Sequence, residues 1–257
     1  MAEQSETLSN QPLRFSIPSR DARGRLVRLD DVLGEILAAH AYPPVIERTL
    51  AEALVLTALL GASLKEPGSQ LTLQTQTEKG AIRLLACDYK DGALRGYAQF
   101  DAATAAALPQ KATLSGVFGQ GYLAITFDRM KPASEGGGRY QGIVPLEGET
   151  LADAAQSYFV QSEQIPTFIR VAVDNVDGRC VAGGQVSNSG CGCRAGLCTA
   201  HDDGPRRGDG CHGNGRPGGR SRRIGSLPHC ARAGRRAVRR VLAGTPGHLP
   251  QGSGVTL

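Results

Sequence analysis

Cys191, Cys193 and Cys198 stand within eight positions of one another in SNSGCGCRAGLC, residues 187–198. Clustered thiols in a reducing compartment point to metal or redox chemistry, and four thiolate or imidazole ligands make a tetrahedral zinc site. Two ligand sets can be drawn: one takes the three cysteines with His201, the other brings in Cys211 and His212. No Cys-x-x-Cys occurs anywhere, because after Cys198 only Cys211 and Cys230 follow. Elsewhere the search for chemistry returns little. There is no GxxxxGK[ST], HExxH or GxSxG motif. Gly119-Gln120-Gly121 precedes a strand instead of following one, so a turn is expected and not a phosphate cradle. Glu147, Glu149 and Glu163 suit helix-start capping and a solvated face better than an acid/base pair. Cys87 lies among aliphatics in AIRLLACDY and is expected to be a small buried hydrophobe. His40 falls at the end of an expected helix, where it would partner the C-terminal dipole. No nucleophile, base and orienting acid assemble, and no enzyme is expected.

The surroundings of the cysteine cluster divide the chain in two. The 257 residues carry a net charge of +5 and no tryptophan. Up to residue 178 the balance is −5; beyond it, thirteen arginines without a single lysine face three acids. All twelve Phe and Tyr precede residue 179, whereas six of seven cysteines and 18 of 34 glycines follow it. The first part is long enough to bury about 70% of its unfolded surface. The second has too few apolar side chains to offset the entropy of ordering. The expected organisation is therefore a flexible N-terminus at 1–13, a core domain at 14–178, and an Arg/Gly/Cys-rich tail at 179–257.

Within the core, RFSIPS and RGRLVRL read as short strands, the second placing Leu26 and Arg28 on one face. Asp30 and Asp31 offer an N-cap for a helix through Leu37. The next helix, over 45–64, is apolar on most sides, which implies burial on more than one face. Four strands are expected at 71–78, 81–89, 93–100 and 121–129, the first three separated by Gly or Asp-Gly as in antiparallel hairpins. In the first of them Leu71, Leu73, Thr75 and Thr77 share a face opposite Thr72, Gln74 and Gln76. Thr150 and Asp153 have the spacing of a capping pair for ADAAQSYFVQSEQ. Pro166 ends that helix and FIRVAVD resumes as a strand. Strands and helices are segregated instead of strictly alternating, so the expected class is α+β, with an antiparallel-rich sheet and packed helices. The polar start MAEQSETLSNQ lacks the basic n-region of a signal peptide. The longest apolar run has twelve residues, against about 20 for a membrane span. A cytoplasmic protein is expected.

YFVQSEQIPTFIRVAV (158–173), taken with RYQGIVPLEG (139–148), resembles the 33 kDa chaperonin family, the redox-regulated bacterial heat-shock holdases. LTLQTQTEKGAIRLLACDYKDGALRGYAQF (71–100) is similar to the same family's central strands, and EALVLTALLGASLK (52–65) to its buried helix. The motifs occur in order between Arg14 and Gly178. The resemblance implies an ATP-independent chaperone with an α+β core, often dimeric, that binds unfolding clients. It further implies a helical linker and a small zinc domain, in which a Cys-x-Cys and, roughly thirty residues on, a Cys-x-x-Cys hold one zinc by four thiolates. Oxidation would form disulfides, release the zinc, loosen the linker and expose apolar surface. Ile165, Phe168 and Tyr158 are the candidates for a client-facing role, but buried core positions are their expected place.

After residue 179 the resemblance stops. No Glu- and Leu-rich linker helices appear, and Cys191-Gly-Cys193 comes where the linker should be. Zinc is expected from the family yet doubtful here, with Cys191 and Cys193 weak candidate ligands at most. Arg and Gly in such excess could bind nucleic acid by charge alone, though without aromatics for base stacking. The favoured expectation is that the tail is an out-of-frame translation of GC-rich coding sequence, replacing the family's linker and zinc domain. The expected protein is thus a cytoplasmic holdase core, possible as a homodimer and without a membrane partner, whose thiol switch is lost. A nucleic-acid binder and an unrecognised α+β enzyme are the alternatives.

Overall fold

The computed structural model of the chain describes residues 9–109, 111–130, 138–176, 179–189 and 255–256. All of them belong to a unit formed by Met1–Cys193 and Leu249–Leu257, and a second unit, Arg194–His248, lies outside the described residues. In chain order the elements are β1 (Leu13–Ile17), β2 (Ala22–Leu29), α1 (Asp31–Ala38), α2 (Pro44–Gly61), β3 (Gln70–Thr77), β4 (Ile82–Lys90) and β5 (Ala93–Phe100). There follow α3 (Ala102–Ala106), α4 (Leu114–Phe118), β6 (Gly121–Arg129), β7 (Gly138–Pro145), α5 (Leu151–Tyr158), β8 (Thr167–Val176), β9 (Arg179–Ser189) and β10 (Val255–Thr256). The strands form two antiparallel sheets, one ordered β1-β2-β9-β8 and the other β10-β5-β4-β3-β6-β7. The α+β class is as expected.

α2 explains why its sequence is apolar all round. It packs against β2, β8 and β9 of the smaller sheet and against β3, β4 and β5 of the larger one. Fourteen of its eighteen residues are buried. On one side Leu50 and Leu54 press on β5 at Gly96, where an added Cβ would lie 2.8 Å from Leu54 Cδ2. On the other, Val55 and Leu59 press on β9 at Gly184, where an added Cβ would lie 2.8 Å from Val55 Cγ1. Proline at the first helical position costs little, because that amide has no intrahelical acceptor. The inner faces of the sheets complete this core with Leu71, Leu73, Leu85, Leu123, Ile125, Val27, Leu29, Ile169 and Val186, all buried.

Local signals place the other elements. Asp91 and Gly92, both with positive φ (49° and 85°), make the two-residue turn between β4 and β5. Thr150 accepts from the Asp153 amide while Asp153 accepts from the Thr150 amide, so the capping box starts α5 as expected. Asp30 precedes α1 but makes no side-chain cap; its carboxylate instead accepts from Ser9 and Arg28. Cys87 is fully buried, as expected. The smaller sheet, however, runs past residue 178, where the core is expected to end. β9 lies between β2 and β8 and pairs with both along its length.

Glu52 on α2 links that helix to α5 by accepting from the Ala152 amide at 3.1 Å. Burial raises its carboxyl above the ordinary value, against the pull of the Ala152 and Leu151 amides. A carboxyl whose pKa is raised by folding contributes stability that is present below its unfolded pKa and lost as pH rises through its folded one. Glu52→Gln keeps an acceptor for Ala152 and removes the charge. Thermal unfolding at pH 5 and pH 8 should therefore show a smaller loss on going to pH 8 in the variant than in the parent. An equal loss in both would exclude Glu52 as a source of the pH dependence.

Candidate functional site

With α2 between them, each sheet has an outer face, and the two faces differ in chemistry. On the larger sheet the outer face is polar and bonded to itself. Asp88 is buried and accepts from Gln70, Thr72 and Arg95, with Arg95 Nη2 at 2.7 Å. Gln141 donates to Thr126 at 2.9 Å, and Tyr122 donates to Gln76 at 2.6 Å. Such a face has little to offer an apolar ligand, because its donors and acceptors are already paired.

The smaller sheet shows the opposite pattern. The register sets Phe15, Gly24, Ser187 and Phe168 in one row across its four strands, and Leu13, Leu26, Gln185 and Arg170 in the next. Residues directly opposite one another share a face, and the alternate positions Val27, Val186 and Ile169 are the buried ones. These two rows therefore point outward. Ile17, Leu26 and Phe168 are exposed there at 44%, 45% and 44%. Phe15 leans over Gly24, with its Cζ only 2.3 Å from where a Cβ would stand. The result is an apolar strip, termed the trough, in which the Phe15 ring covers Gly24 while Leu26 and Phe168 stand exposed. Strands spaced about 4.8 Å apart put β1 and β8 roughly 14 Å apart, enough for an extended chain laid flat. Arg170 stacks on Phe168 with its guanidinium 4.5 Å from the ring centroid, and Arg28 pairs with Asp30 at 3.0 Å. The trough is apolar, with Arg170 at one edge and the Arg28–Asp30 ion pair at another.

The sequence candidates fall out unevenly against this face. Tyr158 is fully buried, as expected, and donates to Glu163 at 2.7 Å. Burial first, and then the Glu163 carboxylate, push its phenol far above the ordinary value. Phe168 and Ile165, expected in the core, are exposed. Phe168 shares a face of β8 with Arg170 and Asp174, opposite Ile169, Val171 and Val173, so the alternation itself sets it outside. α5 ends in a single wide turn, Phe159–Glu163, closed by Gln164 in the left-handed region, and this turn presents Val160 and Ile165 to solvent. Leu26, Ile17 and Phe15 were not among the candidates. The signal that finds Leu26 is its place on the same face as the charged Arg28.

Of the chemical candidates, His40 sits in the turn after α1, its ring edge-on to Tyr42 and Tyr97 at 5.5 and 5.3 Å. Glu149 donates its amide to Asp153, within the capping of α5. Gly119 turns the chain with positive φ into β6. Cys191 and Cys193 lie outside the described residues, as does the tail's expected out-of-frame origin. Cys87 is pushed far up by burial, and Cys180 is pushed up to about 11, chiefly by burial and then by Glu47. The thiolate is the reactive form, so neither suits a redox sensor at neutral pH. Among the described residues no group of three or more His, Cys, Asp or Glu could hold a metal ion. No helix of the described residues is long and apolar enough to cross a membrane.

Comparison with known proteins bears on the same region. A family described as Hsp33 protein matches residues 10–188. A 33 kDa chaperonin of Caulobacter vibrioides is 41% identical over 167 residues, covering 63% of this chain and 53% of the relative. One of Yersinia pestis is 37% identical over 174 residues, covering 67% and 56%. The chain thus spans about half the length of the curated relatives it matches. A crystal structure of the 33 kDa chaperonin (heat shock protein 33 homolog) from Thermotoga maritima has a similar fold. Its TM-score is 0.59 at 24% identity, covering 69% of this chain and 60% of the other.

Proposed function

The chain belongs to the Hsp33 protein family, and from that premise we propose that it is an ATP-independent holdase and not an enzyme, binding unfolding proteins under heat or oxidative stress in the cytoplasm. The observation that carries this reading is the trough on the smaller sheet, where Ile17, Leu26 and Phe168 stand in water on one face. An exposed apolar surface of this kind marks an interaction site, and unfolding polypeptides are the partners that offer apolar chain without a fixed shape. Arg170, stacked on Phe168, adds tolerance for acidic flanks. A homodimer belongs to the same proposal.

The sequence contains no Cys-x-x-Cys to complete the family's zinc motif, and the cysteines that follow residue 189 lie outside the described residues. On that missing pair we propose that the thiol switch is lost in this chain. Translating the other two frames of the gene downstream of residue 189 tests its cause. A Cys-x-Cys and a Cys-x-x-Cys after Glu- and Leu-rich helices in one of them would support a frameshift; their absence from both would refute it.

The functional test is light scattering from a thermally unfolding client without nucleotide, where the full chain should suppress aggregation. Failure at several-fold molar excess would remove the holdase reading. Suppression should be the same with reductant as with peroxide, because the described thiols are held protonated by burial. A strong peroxide requirement would instead show a working switch in the tail cysteines.

A further inference from the structure

On one side of the larger sheet the last long strand is β5, and part of its outer edge is taken by β10. Val255 and Thr256 pair with Leu94 and Ala93 as a two-residue antiparallel strand. They lie beyond residues 10–188, the part that matches the family, so this pairing does not belong to the family core. Its basis can be read from the backbone. The turn at Asp91 and Gly92 closes Lys90 against Ala93, and the closing pair of such a hairpin exchanges its main-chain hydrogen bonds. Ala93, Arg95 and Tyr97 therefore turn their amides towards β4, while Leu94, Gly96 and Ala98 turn theirs outward. The outward amide of Ala98 donates to the Tyr42 hydroxyl at 3.2 Å, which stops the edge at that point. Beside it opens a cleft of about 250 Å³ lined by His40, Tyr42, Tyr97, Gln99 and Phe100. What is left is a slot with a partly filled start, a polar stop, and a ring-lined cleft next to the stop.

We propose that this slot, from Leu94 to Ala98 on β5, docks an extended segment of an unfolded polypeptide as an added antiparallel strand, with an aromatic side chain of that segment seated among His40, Tyr42 and Tyr97. The proposal rests on the holdase reading and gives it a second point of contact, distinct from the trough on the other sheet. Main-chain hydrogen bonds supply the attraction at a sheet edge, and side-chain pockets the preference. That division explains how Val255 and Thr256, from outside the matched region, come to be seated there. It selects β-branched and aromatic sequences, which favour extended backbone.

The test uses the full chain and a fluorescein-labelled seven-residue peptide of alternating Val and Thr with one Tyr, followed by anisotropy. The probe should bind, and the same peptide N-methylated at alternate amides should bind at least about tenfold more weakly, having lost its ladder donors. Val255→Pro with Thr256→Pro removes the chain's own strand, so probe affinity should rise, about fivefold if that strand fills the edge roughly four-fifths of the time. Equal binding of the methylated peptide would overturn the proposal, as would an affinity unchanged by the proline pair. Exclusion of the probe by dimers of the proline variant, seen in sedimentation, would assign the edge to a second copy and also overturn it. If the chain suppresses client aggregation while the probe fails to bind, the edge proposal falls and the holdase reading stands. Amide-dependent probe binding without any suppression would instead remove the holdase reading and support the edge as a peptide site.

Discussion

Leu26→Glu combined with Phe168→Glu is expected to abolish suppression of client aggregation while leaving the fold in place. The two side chains stand on one outer face of the smaller sheet in adjacent rows, each a little under half exposed. Each side chain is a little more than half buried, and Phe168 also carries Arg170, so the pair is expected to cost about 1–3 kcal/mol of stability, which leaves a folded chain. The loss to a client is larger. An apolar contact with the rest of each side chain contributes about 1–2 kcal/mol, and two together correspond to roughly 30-fold or more in affinity. Carboxylates in the trough add a desolvation penalty for any apolar chain laid over them. The measurement is client light scattering against chaperone concentration, with the variant's melting temperature as the control for folding. The conservative pair Leu26→Met and Phe168→Leu should keep most of the activity. Full activity in the glutamate variant would place client binding elsewhere.

The largest expected effect on stability comes from adding one methyl group to β7. A Cβ built on Gly142 would lie 2.0 Å from Tyr158 Cε2 and 2.7 Å from Cδ2, well inside van der Waals contact. Tyr158 has no room to yield. Its ring is fully buried, its hydroxyl is tied to Glu163, and Phe159 meets it edge-on at 5.1 Å. Gly142 is held in register opposite Ile125 of β6. Gly142→Ala should therefore fall at the upper end of overpacking costs, about 3 kcal/mol. In a domain of this size that lowers the melting temperature by roughly 6–12 °C. Tyr158→Leu in the same chain should recover part of the loss, so that the double variant is less destabilised than the sum of the singles. Additive effects would mean the strain lies in the β7 backbone and not against the ring. The contact also gives a physical reason for two of the stretches that carry the family resemblance, RYQGIVPLEG and YFVQSEQIPTFIRVAV, to occur together. One supplies the glycine and the other the ring that covers it.

Legibility in the sequence followed how local each cause was. α2 could be read because burial on both sides leaves no polar stripe, and the capping box because Thr150 and Asp153 carry their own partners. The face shared by Leu71, Leu73, Thr75 and Thr77 is buried as the alternation implies. α3 and α4, five residues each, are too short to show a helical period. β9 was missed for another reason. RCVAGGQVSNS has two adjacent glycines and weak alternation, and it is a strand because β2 and β8 pair with it on either side. Gly184 looks like a strand breaker until Val55 and Leu59 are seen pressing on it. The trough was illegible for the same reason. Its parts come from β1, β2, β8 and β9, and only the register shows that Phe15, Leu26 and Phe168 share a face.

The place of β9 also sets a timetable for the newly made chain. β2 pairs with β1 on one side and with β9 on the other, Leu29 lying opposite Ala182. At about 5–20 residues per second the ribosome needs roughly 8–30 seconds to make the 150 or so residues between them. During that interval the β1–β2 hairpin, which carries Phe15 and Leu26, has an open edge and leaves Val27 and Leu29 without the strand that flanks them. The chain thus begins its life with an unpaired sheet edge of its own, and keeps it until residue 189 leaves the ribosome.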